Sequence, residues 1–401
     1  MSDALPSDSL QGTRRLRAVI GAPGVRGLLL ARSFGSLPIG MVPLGIILLL
    51  RAAGRSYALA GIADGAYALG LAAMQPVFGR LIDRLGMARI LVPLGVLFPG
   101  VLVTLALVGS SDAPPTLTVV LSLLSGATVP PLGACMRTLW PTLVPTPGLR
   151  STAFAIDATL QELAFVIGPP VLAALVAIAN PRAGLFAAAG GGGAGAIVFA
   201  ARAHGVHQRT QRTRGALRSA GVRRLLAMSA VLGASFGATE VAMPAFCERH
   251  GARPAAGLIL AAVALGSACG GAFFGSRAPR VPAPRRLLVA LGGYAVLLIP
   301  LLVAPSIAVM AVFAFVSGLP IAPAFAGAYQ LLDRFSVPGA VTETFAWNTT
   351  CLFVGASAGT ALGGALIAAG SFRASIALSI ALAFACASLV AGYARGTQLD
   401  G

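Results

Sequence analysis

Twelve runs of about twenty predominantly apolar residues fill this chain. Each is long enough for a helix to cross the roughly 30 Å hydrocarbon layer of a membrane. They lie at 27–50, 56–78, 88–110, 116–139, 150–177, 183–202, 223–246, 254–276, 287–304, 306–330, 340–369 and 373–394. The runs are rich in helix-forming Ala and Leu, whereas a membrane barrel shows alternating segments of about ten residues. Only 10% of the residues are charged, against about 25% in a soluble chain. Mean hydropathy is +0.87. The chain is therefore expected to be an all-α membrane protein of twelve transmembrane helices. Residues 1–25 are polar and the first apolar run is a full span, so no cleavable signal peptide is expected.

All 29 basic residues are arginine. A net charge of +17 suggests nucleic acid only if the charge forms one exposed patch. Here it does not. With the N-terminus in the cytoplasm, 22 of the 29 arginines fall at cytoplasmic ends, six fall outside, and Arg32 lies within the first span. The positive-inside rule then puts both termini in the cytoplasm. The five cysteines are odd in number and scattered, so neither a disulfide framework nor a metal site is expected. No nucleic-acid partner is expected either.

The longest interior polar stretch, 203–222, separates two groups of six spans. The expected organisation is a cytoplasmic segment 1–26, a six-helix bundle 27–202, a central loop 203–222, a second bundle 223–394 and a tail 395–401. The halves align weakly. At an offset of 196, Ala68-Leu69-Gly70 meets Ala264-Leu265-Gly266 and Arg84 meets Arg280; at 191, Phe154 meets Phe345 and Thr159 meets Thr350. The offsets pair span 2 with 8 and span 5 with 11, the mark of a duplicated unit.

Between spans 2 and 3 lies Gly79-Arg80-Leu81-Ile82-Asp83-Arg84-Leu85-Gly86. Gly79 and Gly86 allow a tight reversal and close helix approach. Asp83 is suited to cap a helix start and to pair with Arg84 or Arg89. The stretch resembles the G-x-L-x-D-R-x-G signature of the major facilitator superfamily. Span count, 6+6 duplication and central loop resemble that family over the whole chain. The resemblance implies two pseudo-symmetric bundles and a conformational latch of Gly79, Asp83, Arg84, Gly86 and Arg89. The latch would hold the halves together in the outward-facing state. Two features depart from the family: Met87 and Ala88 precede Arg89, and the second-half copy, 275–280, has no acid.

An uncompensated charge at mid-bilayer costs roughly 2.5–3.5 kcal/mol on insertion scales, so each buried acid needs a reason. Glu162 lies twelve residues from Arg150, about 18 Å along a helix. A carboxyl stripped of water there can take up and release a proton. Glu162 is thus a candidate proton carrier or anchor for a cationic substrate; the alternative is a structural pair with Arg32 or Arg137. Asp157 is a candidate for proton coupling, with a structural helix–helix bond equally open. Asp64, near the outer end of span 2, is a candidate outer gate and coupling acid. Family resemblance puts Glu240 of span 7 at a central cavity. Glu343 is expected to pair with arginines or the latch hairpin. Arg32, Trp347 and Asn348 complete the candidate substrate contacts. Gly355, Gly359 and Gly363 form a close-packing face.

Gly168-Pro169-Pro170 bends or loosens span 5. It resembles the span 5 antiporter signature of drug exporters, keeping only its Gly-Pro core. Gly190 to Gly193 lack the Lys-Ser/Thr of a phosphate loop, and His204 and His207 sit in a polar loop. The expected function is a secondary transporter, not an enzyme, with no cofactor. It would exchange protons for a small amphiphilic or cationic compound by rocker-switch alternating access. Alternatives are a proton-coupled importer of a sugar or organic acid, and a non-transporting sensor or scaffold. A monomer in a bacterial inner membrane is expected, its partners being a small-molecule substrate, protons and the lipid bilayer.

Overall fold

The computed structural model describes residues 12–109, 111, 113–204, 215–252, 255–275 and 281–396. Most of the central loop, the second-half copy of the hairpin beyond Gly275, and the last five residues lie outside them. His207 does too.

A short helix, α1 (Gly12–Gly21), precedes the first half. That half comprises α2 (Val25–Ala52), α3 (Tyr57–Leu85), α4 (Met87–Val108), α5 (Pro115–Ala127), α6 (Leu132–Leu143), α7 (Pro147–Ile178) and α8 (Pro181–Ala203). The second comprises α9 (Ala220–Arg249), α10 (Ala255–Gly275), α11 (Ala283–Leu298), α12 (Ile307–Gly318), α13 (Ile321–Phe335), α14 (Val341–Ala368) and α15 (Phe372–Gly396).

The helix starts are written locally. Ser56, Asn180, Ser219 and Ser306 each accept, through a side-chain oxygen, the backbone N–H three residues on. Proline occupies the first turn of α5, α7, α8 and α11, where its missing N–H costs nothing. Two expected spans are broken. The fourth divides into α5 and α6 at Pro130-Pro131, and the tenth into α12 and α13 at Pro320. Each proline removes a backbone donor and crowds the preceding turn.

Among the described residues, eleven stretches are long and apolar enough to cross a membrane. The long helix outside that set is α3, whose 29 residues include Asp64, Gln75, Pro76 and Asp83. It is nevertheless packed as a full member of the bundle, between α5 and α14. The expected loop around residues 79–86 is not a loop. α3 continues to Leu85, and the reversal into α4 falls on Gly86 alone, at φ +89°. That left-handed value is open to glycine and strained for other residues.

Small residues set the helix spacing. A side chain on Gly355 or Gly359 would strike the α9 backbone at Ala230 or Ala234, so α14 lies directly on α9. The same holds for Gly168 and Gly40, which bring α7 against α2. Gly168 thus has a packing role, and α7 runs unbroken through Pro169 and Pro170. The halves meet through α3 with α14, α7 with α10 and α13, and α6 with α14.

Candidate functional site

Two groups of polar residues join the halves, both near the end of the bundle where α2 and α7 begin and α3 ends. The outer group is built on the α3–α4 turn. Asp83 Oδ1 and Oδ2 accept hydrogen bonds from the Thr342 and Glu343 backbone N–H groups, at 3.1 and 2.8 Å. Those are free donors of the first turn of α14, where a negative charge is favoured. Glu343 in turn takes a 2.7 Å ion pair from Arg80. Thr138 and Thr342 share a hydroxyl contact at 3.1 Å, and Arg150 approaches Asp333 at 3.8 Å. Asp83 does not pair with Arg84 or Arg89, as its sequence neighbourhood suggested. Both arginines are exposed, because the last turn of α3 aims Asp83 across the gap and leaves them outside.

Deeper lies a charged cluster. Asp157 of α7 is fully buried between two guanidiniums. Arg32 Nε of α2 is 2.9 Å from Oδ1, and Arg137 Nε of α6 is 2.7 Å from Oδ2. Arg32 and Arg137 are 0% and 2% exposed. One helical turn along α7, Gln161 Oε1 accepts from Arg32 Nη2 at 3.3 Å and Arg137 Nη2 at 3.4 Å. From the other half, the Tyr329 ring of α13 covers Arg137, 4.0 Å from Cζ to the ring centroid. Such stacking is favourable by about 2 kcal/mol when desolvated. Phe154, Phe325 and Phe345 pack around Tyr329.

The remaining candidates separate. Glu162 is half-buried, and no hydrogen bond or ion pair to it is seen among the described residues. The arginines suggested as its partners are taken by Asp157 instead. Glu162 still lies within electrostatic range of the Tyr329 hydroxyl, together with Arg32, Arg137 and Asp157. Asp64 is half-buried on α3, one turn from Tyr67, whose buried hydroxyl finds no partner. Glu240 is exposed on α9. Asn348 is buried and accepts a 2.7 Å hydrogen bond from Ser229, a contact inside the second half. Trp347 is half-buried, its indole N–H unpartnered. Asp64, Glu240 and Trp347 do not join the cluster.

Gln161, Tyr329 and Asp333 were not singled out from the sequence. Gln161 follows Asp157 by four residues and Asp333 follows Tyr329 by four, so each pair shares a helix face. That spacing was the available signal, and it could be read only from an already chosen partner.

The family model of the Major Facilitator Superfamily matches residues 28–311. No curated protein matches the chain in sequence. Among solved structures, a bacterial homologue of the iron transporter ferroportin, in an outward-facing state with soaked iron, is 16% identical. Its TM-score is 0.75, covering 95% of this chain and 99% of that one. The same homologue in an outward-facing state gives 13% identity, a TM-score of 0.76 and coverage of 95% and 99%. The human organic anion transporter MFSD10 gives 16% identity, a TM-score of 0.69 and coverage of 94% and 99%. At these identities the likeness is one of fold.

Proposed function

The chain belongs to the Major Facilitator Superfamily, and on that premise we propose that it is a proton-coupled secondary transporter of a small amphiphilic compound. Glu162 is the residue that carries the proton. The observation behind this reading is its isolation. Glu162 sits midway along α7, half-buried, on a helix that packs against α10 and α13 of the other half. An acid without a partner is expensive at that depth. It is cheap only if it is protonated or meets water for part of the cycle, and a proton carrier does both. A scaffold has no use for it.

In the proposed cycle the halves rock about the central helices. The Asp83–α14 and Arg80–Glu343 contacts close the arginine-rich end, which is the cytoplasmic one by the positive-inside rule. Their release opens it. Arg137 under Tyr329 forms the deeper closure. The membrane is a bacterial inner membrane with both termini inside.

The test uses purified protein in proteoliposomes enclosing a pH-sensitive dye, with a panel of amphiphilic solutes and a Glu162→Gln variant. At least one solute is expected to drive proton movement in the wild type, and Glu162→Gln is expected to abolish it. Solute movement without protons in the wild type, or proton movement that survives Glu162→Gln, overturns the assignment.

A further inference from the structure

The buried cluster is unbalanced. Two guanidiniums, Arg32 and Arg137, share the single carboxylate of Asp157, leaving one positive charge with no second carboxylate in contact, in an environment that solvates it poorly. Arg32 Nη1 is buried and has no hydrogen-bond partner. The groups facing the Nη2 atoms are neutral: the amide oxygen of Gln161, at 3.3 and 3.4 Å, and for Arg32 also the Asp157 backbone carbonyl, at 3.3 Å. Those distances exceed the ordinary 2.7–3.2 Å of an N–H···O bond. A charge-assisted bond to a guanidinium closes to about 2.7–2.9 Å.

We infer that Arg32 and Arg137 form an anion subsite, in which a carboxylate or sulfonate of the transported compound takes the position held by the Gln161 amide oxygen. The inference rests on the transport reading and names its substrate class. Gln161 is half-buried while both guanidiniums are covered, so the amide is the movable and more accessible member. Swinging it aside exposes two fixed, forked donors, an arrangement suited to a planar anionic group. Asp157 keeps the forks in place by holding each Nε. Tyr329 stacks on Arg137 and leaves its edge donors available. A cationic headgroup would instead have to lie against two guanidiniums. The cationic substrate anticipated from the acids of the sequence therefore gives way to an anionic one.

The experiment follows thermal unfolding of the full chain in detergent. The probes are benzoate and benzenesulfonate, with benzyltrimethylammonium and benzyl alcohol as cationic and neutral counterparts of similar size. At millimolar concentration the two anions are expected to raise the Tm by several degrees, and the other two to leave it in place. Arg32→Gln and Gln161→Glu each remove the charge imbalance. Both are expected to keep or raise the Tm of the unliganded protein and to weaken the anion response at least tenfold. If Arg32→Gln does not fold, Gln161→Glu carries the test, because it supplies an internal carboxylate while keeping both guanidiniums. Anions that fail to stabilise the wild type overturn the inference. So does a cation that stabilises it, or an anion response that survives Gln161→Glu. The two readings fail separately: the anion response is read in detergent without a gradient, proton movement in liposomes through Glu162→Gln.

Discussion

Asp83 of α3 caps the first turn of α14 in the opposite half, its two carboxylate oxygens receiving the backbone N–H groups of Thr342 and Glu343. The bond joins an acid to free helix donors 259 and 260 residues away, so it exists only while the halves are closed at this end. Asp83→Asn keeps the shape and one acceptor but loses the charge that a helix N-terminus favours. A loss of about 1.4 kcal/mol is a tenfold shift toward the open form. Cys135 of α6 reports on it, being fully buried close to Asp83. With the other four cysteines replaced, its maleimide labelling is expected to quicken about tenfold in Asp83→Asn. An unchanged rate removes Asp83 from the closure.

Gly79 sits where α3 crosses α14. A Cβ there would lie 2.8 Å from Ala346 Cβ, 2.8 Å from Glu343 Cα and 2.9 Å from Thr342 O. These are contacts between halves, so Gly79→Ala is relieved by opening rather than unfolding. Overpacking costs typically 1–3 kcal/mol. Gly70 meets Leu123 and Ala127 within one half, and no opening relieves it. Gly79→Ala is therefore expected to quicken Cys135 labelling at an unchanged Tm. Gly70→Ala is expected to lower the Tm at an unchanged labelling rate. Identical behaviour of the two would show that the α3–α14 contact does not open.

The membrane class, most of the spans and the glycine face of α14 were legible because they follow from runs of apolar and small residues, a one-dimensional signal. The helix breaks at Pro130-Pro131 and Pro320 were written in the chain too, yet hydropathy does not register a break inside an apolar run. The charges behaved differently. Asp157 and Glu162 are five residues apart on one helix, and nothing in their local sequence says which one meets the arginines. Arg32 and Arg137 arrive from α2 and α6, and Tyr329 from the other half. Which acid is neutralised depends on which face of α7 turns toward α2, and that is fixed by the Gly40–Gly168 approach. Asp83 was recognisable from its motif, but its partner was not: the acceptor's target is backbone, and backbone has no residue identity to read.

Removing Asp157 leaves two buried guanidiniums facing each other. Breaking a buried ionic group from one side costs about 3–5 kcal/mol, enough to deplete folded protein in many domains. Asp157→Asn is expected to lose most of its monodisperse peak in size-exclusion chromatography. Adding Arg32→Gln returns the cluster to the wild-type excess of one positive charge, so the double variant is expected to recover much of the peak. If it is no better than Asp157→Asn alone, charge balance is not what holds this cluster together.

Tyr329 contributes a ring face to Arg137 at 4.0 Å and a hydroxyl within electrostatic range of Arg32, Arg137 and Asp157. The two roles separate by substitution. Tyr329→Phe keeps the quadrupole and the packing against Phe154, Phe325 and Phe345. Tyr329→Leu loses the cation–π interaction, about 2 kcal/mol at a desolvated site, together with aromatic contacts. Because α13 is held to the first half through this residue, its loss loosens the helix at the closed end. Hydrogen–deuterium exchange over residues 321–335 is expected to rise in Tyr329→Leu and stay at the wild-type level in Tyr329→Phe. If Tyr329→Phe exchanges as fast as Tyr329→Leu, the hydroxyl and not the ring makes the closure, and the stacked arginine is a bystander to it.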